Sequence, residues 1–465
     1  MHLLSCVSLF FCAVTAFNHL PRGRPANATD VKVITSPGGA KIRYKQPGGS
    51  GMCETTPGVN EYSGYVDLDN ATHMFFMFVE ARKDPANAPL TLWLNGGPGS
   101  DSLIAFFQEL GPCNVTKDVK TQLNPYAWNE VSNMLFLSQP IGVGFSYSYE
   151  SFDRSGTYAE LDPAAKVDTT DQAAVAAWHV LQGFLANLPQ LDSKISSKTF
   201  NLWTESIEVE SPHYAVSGRG TYDIRYTGKD PDPPEYFVDF LNLDSTQNAL
   251  GVNINYTSDS SNPVVVNFEY TGDFIFETIM GDLEDLLNQN VRVALFYGDA
   301  DYICNVCVGS RPLCRTRAND CAVVWRRSCI DASELHAQRR FPRCALLAIH
   351  GRQRRIRQSS TARQFLLRAH LCLWPRDPLL PAQLPKASLE FFRRVLGKKA
   401  VSDGVADLVD VTTSYSTNGT SGTGDIQSSS SVAPSASSTG AAATPSRSPS
   451  KSAGDRRIKM FWRWD

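Results

Sequence analysis

The chain has 465 residues, a formal net charge of −3 and 42% hydrophobic side chains. That is length and apolar content for one large domain with a sizeable core. The near-balance of charge removes the electrostatic basis for a nucleic-acid or acidic-membrane partner.

From the N-terminus, residues 1–16 carry a short apolar run, 3–14, that ends in small residues before Phe17. This is the pattern of a secretory signal, too short for the roughly 20 apolar residues of a membrane span. Sequons at Asn27, Asn70, Asn114, Asn255 and Asn418 agree with it, so the expected destination is extracellular, or vacuolar through the secretory pathway. Of the 11 cysteines, Cys6 and Cys12 fall in the signal, and the odd remainder implies at least one free thiol.

Residues 62–68 and 73–79 read as antiparallel strands, 90–94 and 134–137 as buried strands. The run 90–94 opens into Asn95-Gly96-Gly97-Pro98-Gly99-Ser100, a turn almost free of side chains whose backbone N–H groups can face a developing negative charge. Residues 171–188 place Ala174, Ala177, Trp178, Leu181 and Leu185 on one stripe of an amphipathic helix, with His179 a packed or surface residue. A strand at 199–203 leads into Thr204-Glu205-Ser206, and a strand at 291–297 leads into Gly298-Asp299-Ala300-Asp301. A serine after one strand and an aspartate after a later one is the chain order of an α/β-hydrolase nucleophile and acid, with the histidine due third. Strands alternating with helices predict an α/β fold whose central, mostly parallel sheet is flanked by helices.

These motifs carry a resemblance to the fungal secreted serine carboxypeptidases of the α/β-hydrolase fold. Besides the glycine turn, Cys53-Glu54-Thr55-Thr56-Pro57-Gly58-Val59, residues 122–129, residues 139–148 and residues 298–305 are similar to blocks of that family in its order, with a return at 385–394. The resemblance implies a serine peptidase acting on the C-termini of peptides or proteins, with no cofactor. Ser206 is then the nucleophile and Asp301 the acid, Asp299 being the structural alternative in the same turn. Gly97 and Ile207 become the oxyanion donors. Asn95, Gly96, Glu109 and Glu205 become the site for the substrate's terminal carboxylate. Two carboxyls facing a carboxylate must share protons, which predicts an acidic optimum. The resemblance also makes Cys304 the free thiol and Cys53 and Cys113 disulfide candidates whose partners spacing does not reveal. Cys304 and Cys307 have no second pair at zinc spacing, so no metal is expected.

Two departures stand out. After Ser206-Ile207 comes Glu208 in the place of the elbow glycine, and the residues from Val209 resemble a block that lies far downstream in the family, so most of the lid insertion is missing. Residues 311–370 then hold 14 arginines, no lysine and three acidic residues, without the aromatic platforms of a nucleic-acid module. The family's Gly-His turn should precede Pro385. Codons composed for Gly-His-Glu-Ile-Pro-Tyr-Tyr-Gln read, two bases out of frame, as Pro-Arg-Asp-Pro-Leu-Leu-Pro, the residues at 375–381. A frame-shifted segment after Asn305 is therefore expected, and His336, His350 and His370 are left outside any Gly-His turn. The organisation expected is a signal at 1–16, a hydrolase domain at 17–310, an aberrant arginine-rich segment at 311–384, a returning helix at 385–404 and a Ser/Thr-rich disordered tail at 405–465 without a stable membrane anchor. The alternatives are a catalytically inactive secreted relative and an acyltransferase built on the same nucleophile. The chain leaves the oligomeric state open.

Overall fold

A computed structural model describes residues 27–47, 52–69, 71–152, 159–160, 167–204, 234–256, 260–273, 293–297, 366–370 and 383–398, with a few positions between 282 and 291. All belong to one compact unit, Met1–Gln427. The expected signal, the tail and most of the arginine-rich segment lie outside the described residues.

The main sheet has seven strands: β1 (Lys32–Thr35), β2 (Lys41–Lys45), β3 (Glu61–Asp67), β4 (His73–Val79), β5 (Leu90–Leu94), β8 (Asn133–Leu137) and β11 (Phe200–Thr204), in the order β1-β2-β3-β4-β8-β5-β11. β1 to β4 form an antiparallel meander, β4 pairs antiparallel with β8, and β8, β5 and β11 run parallel. The sheet is therefore mixed, with its parallel part at the β11 side, and β6 (Cys113–Val115) with β7 (Thr121–Leu123), β9 (Tyr149–Phe152) with β10 (Ala159–Glu160), and β12 (Val293–Tyr297) with β13 (Leu366–His370) form separate two-stranded sheets. β4, His-Met-Phe-Phe-Met-Phe-Val, is buried almost throughout because it is covered on both faces, which requires apolar residues at consecutive positions.

One face is covered by α1 (Thr170–Leu191), whose N-cap Thr169 accepts a hydrogen bond from the Gln172 amide. The expected stripe is corrected at one position, Ala174, while Ala177, Trp178, Leu181 and Leu185 pack into the core as expected. Ala173, Ala177, Val180, Leu181, Phe184 and Leu188 point inward, while Ala174 and His179 are exposed. Phe184 fixes the helix, since its ring meets Phe76 and Phe78 edge-on, each at 5.3 Å. The opposite face packs against the wide helical turn Ala105–Glu109, α2 (Tyr236–Leu241), α3 (Asp244–Leu250) and α5 (Gln383–Leu396). A further helix, α4 (Asn262–Thr271), buries Val264 and Phe268 against Val143 and Ala173.

The disulfide candidates pair with each other, Cys53 to Cys113, closing a separation of 60 residues. Around that bridge lies a set of buried charges. Glu54 accepts hydrogen bonds from Arg82 Nε (2.9 Å) and Asn129 Nδ2 (2.7 Å). The Glu54 amide donates to Glu61 Oε2 at 2.7 Å. Glu61 is wholly buried, and desolvation pushes its carboxyl up to about 8 despite that donor.

Candidate active site

The site forms where the parallel strands end. β5 finishes at Leu94 and its chain turns through residues 95–99, while β11 finishes at Thr204, in register with Leu94. Side chains in the turn tie it to neighbouring elements. The Asn95 amide donates to Ser102 Oγ at 3.1 Å, and that hydroxyl donates to the Leu137 carbonyl at the end of β8, at 2.7 Å. Trp93 Nε1 donates to Asn95 Oδ1 at 2.6 Å, which sets the orientation of the Asn95 carboxamide. Gly99 has φ +103°, a conformation that glycine adopts without a steric penalty, and its carbonyl accepts from the Ser261 amide at 2.9 Å.

Behind the turn, Asp101 is fully buried and its Oδ2 accepts from the Tyr256 hydroxyl at 2.8 Å. A Cβ at Gly144 would come within 2.1 Å of the same oxygen, so only glycine lets that loop reach the carboxylate. On the other side, Trp128 makes an aromatic joint between both strands and α5. Its ring meets Trp93 at 5.4 Å, Trp203 at 5.2 Å and Phe392 at 4.0 Å, and its Nε1 donates to Ser388 Oγ at 3.2 Å.

Of the residues expected at the site, Asn95 is buried, and Gly96 and Gly97 are half-buried in the turn. Glu109 is buried at the end of the helical turn that follows. Glu205, Ser206, Ile207 and Asp301 lie outside the described residues. So do the Cys304–Cys307 pair, His336 and His350. β12 (Val293–Tyr297), which leads to Asp301, pairs in parallel with β13 (Leu366–His370), and Tyr297 is in register with His370. Among the described residues no group of three His, Cys, Asp or Glu side chains is arranged to hold a metal ion, and no helix is long and apolar enough to cross a membrane. Ser102, Asp101 and Tyr256, which hold the turn, are absent from the sequence-derived site. Their only signal is polarity just after the glycines and, for Tyr256, none.

The serine carboxypeptidase family model matches residues 47–208 and 211–327. Carboxypeptidase S1 homolog B of Arthroderma otae is 29% identical over 63% of this chain and 69% of its own length. Carboxypeptidase S1 of Penicillium janthinellum is 28% identical over 55% of this chain and 80% of its own. Among solved structures, the prohormone-processing carboxypeptidase Kex1(delta)p of Saccharomyces cerevisiae superposes with a TM-score of 0.52 at 15% identity, covering 76% of this chain and 94% of that one.

Proposed function

The chain belongs to the serine carboxypeptidase family, and from that membership we propose that it removes C-terminal residues from peptides through an acyl-enzyme formed on Ser206. Its fold is the α/β-hydrolase fold. The observation that carries the proposal is the register of Leu94 with Thr204. Neighbouring parallel strands lie about 4.8 Å apart, so the chain leaving each strand starts from the same edge of the sheet. Asn95-Gly96-Gly97 leaves from one and Glu205-Ser206 from the other.

In this reading the Ser206 hydroxyl attacks the last peptide carbonyl, and the N–H groups of Gly97 and Ile207 stabilise the oxyanion. Asn95 and Gly96, with Glu109 and Glu205, take the terminal carboxylate of the substrate. Asp301 orients the base and stabilises its imidazolium. The base is left unassigned: His370 pairs with Tyr297 in a two-stranded sheet separate from the one that carries the glycine turn, and it stands outside any Gly-His turn.

The family match breaks between 208 and 211, and the alignment with the Arthroderma relative runs over 458 positions while taking in 63% of this chain. Both support a missing segment after Ser206. The Cys53–Cys113 disulfide supports an oxidising compartment, in line with secretion. A serine-directed fluorophosphonate tests the assignment. One adduct, on the peptide containing Ser206 and absent in Ser206→Ala, is the expected result; an adduct on another serine, or none, contradicts it.

A further inference from the structure

We propose that Asn114 carries an N-linked oligosaccharide in the folded protein and that Asn255 does not, although both stand in Asn-x-Thr sequons. The inference rests on passage through the secretory pathway and is independent of the catalytic assignment.

Asn114 is the middle residue of β6 (Cys113–Val115), which pairs antiparallel with β7 (Thr121–Leu123). Successive side chains of a strand point to opposite sides. Cys113 is wholly buried in the disulfide with Cys53, and that anchor turns Asn114 outward, where it and its register partner Gln122 are exposed. The hairpin closes on itself next to the sequon, the Thr116 amide donating to the Lys120 carbonyl at 2.8 Å. A sugar on Asn114 Nδ2 therefore extends into solvent without breaking any contact of the core.

Asn255 is in the opposite situation, being 4% exposed beside Tyr256 at 1% and Ile254 at 1%. Its Oδ1 accepts from Gln247 Nε2 at 2.9 Å, and the Tyr256 amide donates to Asn242 Oδ1 at 2.9 Å. The Tyr256 hydroxyl is the group that meets Asp101 behind the glycine turn. An oligosaccharide on Asn255 would have to leave the interior and would take Tyr256 with it. Because the sugar is added while the chain is still unfolded, the structure does not block the transfer itself. It removes modified chains from the folded population, since they cannot bury residues 254–256.

The donor required is a lipid-pyrophosphate-linked oligosaccharide. Asn114 Nδ2 attacks its C1, the new N–C1 bond replaces the C1–O bond to pyrophosphate, the amide gives up one proton, and the lipid pyrophosphate departs. The test is to express the full chain in a eukaryotic secretory host, isolate the monomeric secreted fraction and release N-glycans enzymatically in heavy-oxygen water. Peptide mass spectrometry should then find position 114 converted to heavy aspartate and position 255 unchanged. Intact N114Q should be lighter than the parent by one glycan, and intact N255Q should lose none. Unmodified Asn114 in chains whose Cys53–Cys113 bridge has formed, or a modified Asn255 in the folded fraction, would overturn the proposal.

Discussion

Leu94 and Thr204, each the last residue of its strand, are register partners across a parallel pair. That relationship sets the glycine turn beside the strand that leads to Ser206, and the packing of Trp128 against both Trp93 and Trp203 holds the two strand ends together. The turn tolerates little added bulk. A Cβ at Gly97 would stand 3.0 Å from the amide nitrogens of Gly99 and Ser100. Gly97→Ala is expected to lower kcat by about 10²- to 10³-fold, the usual effect of disturbing one oxyanion donor, with KM little changed. A parallel rise in KM alone would place Gly97 in ground-state binding instead.

Glu109→Gln and Glu205→Gln should move the pH profile of peptide hydrolysis while changing hydrolysis of an ester without a free carboxylate far less. Such an ester does not use the terminal-carboxylate site. Equal losses on both substrates would argue against the role given to these acids.

Glu61 makes stability depend on pH. Its folded-state value is about 8 against an ordinary 4.5, so protonation favours the folded state. Its contribution is full below about pH 4.5 and is lost as pH rises toward 8. Glu80 has the same sign, pushed up by burial and then by its hydrogen bond with Asp192. Thermal unfolding should therefore show Tm falling from pH 5 to pH 8, and Glu61→Gln should flatten that slope. A Tm that rises over this interval would contradict the assignment.

Much of the scaffold was legible because it is written in short-range pattern. The apolar run 90–94 matches β5 residue for residue, and the antiparallel pair at 62–68 and 73–79 lies within one residue of β3 and β4. The helix stripe was legible except at Ala174, because alanine carries little periodic signal and Ala173 and Ala174 look alike until Phe184 and the sheet select one. Asn95, Gly96 and Gly97 declared themselves as a glycine turn. Their supports did not, since Tyr256 reaches Asp101 across 155 residues of chain. The pairing of Cys53 with Cys113 was open for the same reason: it depends on where β6 lies in space.

The edge of the sheet yields a further prediction. Phe200 (36% exposed) and Leu202 (56%) are in register with Leu90 and Leu92, the residues that α1 helps to bury on that face. Among the described residues no strand pairs with β11 on its outer side, and an exposed apolar edge strand is an association hazard. Leu202→Thr, which keeps β-propensity, should increase the monomer fraction in size-exclusion chromatography and change stability by no more than about 0.5 kcal/mol. A loss of 2 kcal/mol or more, the cost of removing a core side chain, would mean that Leu202 is buried.

In the proposed function Ser206, two residues beyond the end of β11, is the nucleophile of a carboxypeptidase. Release of the C-terminal amino acid from an N-blocked dipeptide at acid pH, measured for the full chain and Ser206→Ala, tests it most directly. Release by the parent chain and a loss of about 10⁴- to 10⁶-fold in Ser206→Ala, as for removal of a triad member, are expected. No release by the parent chain, or release unchanged in Ser206→Ala, would contradict it.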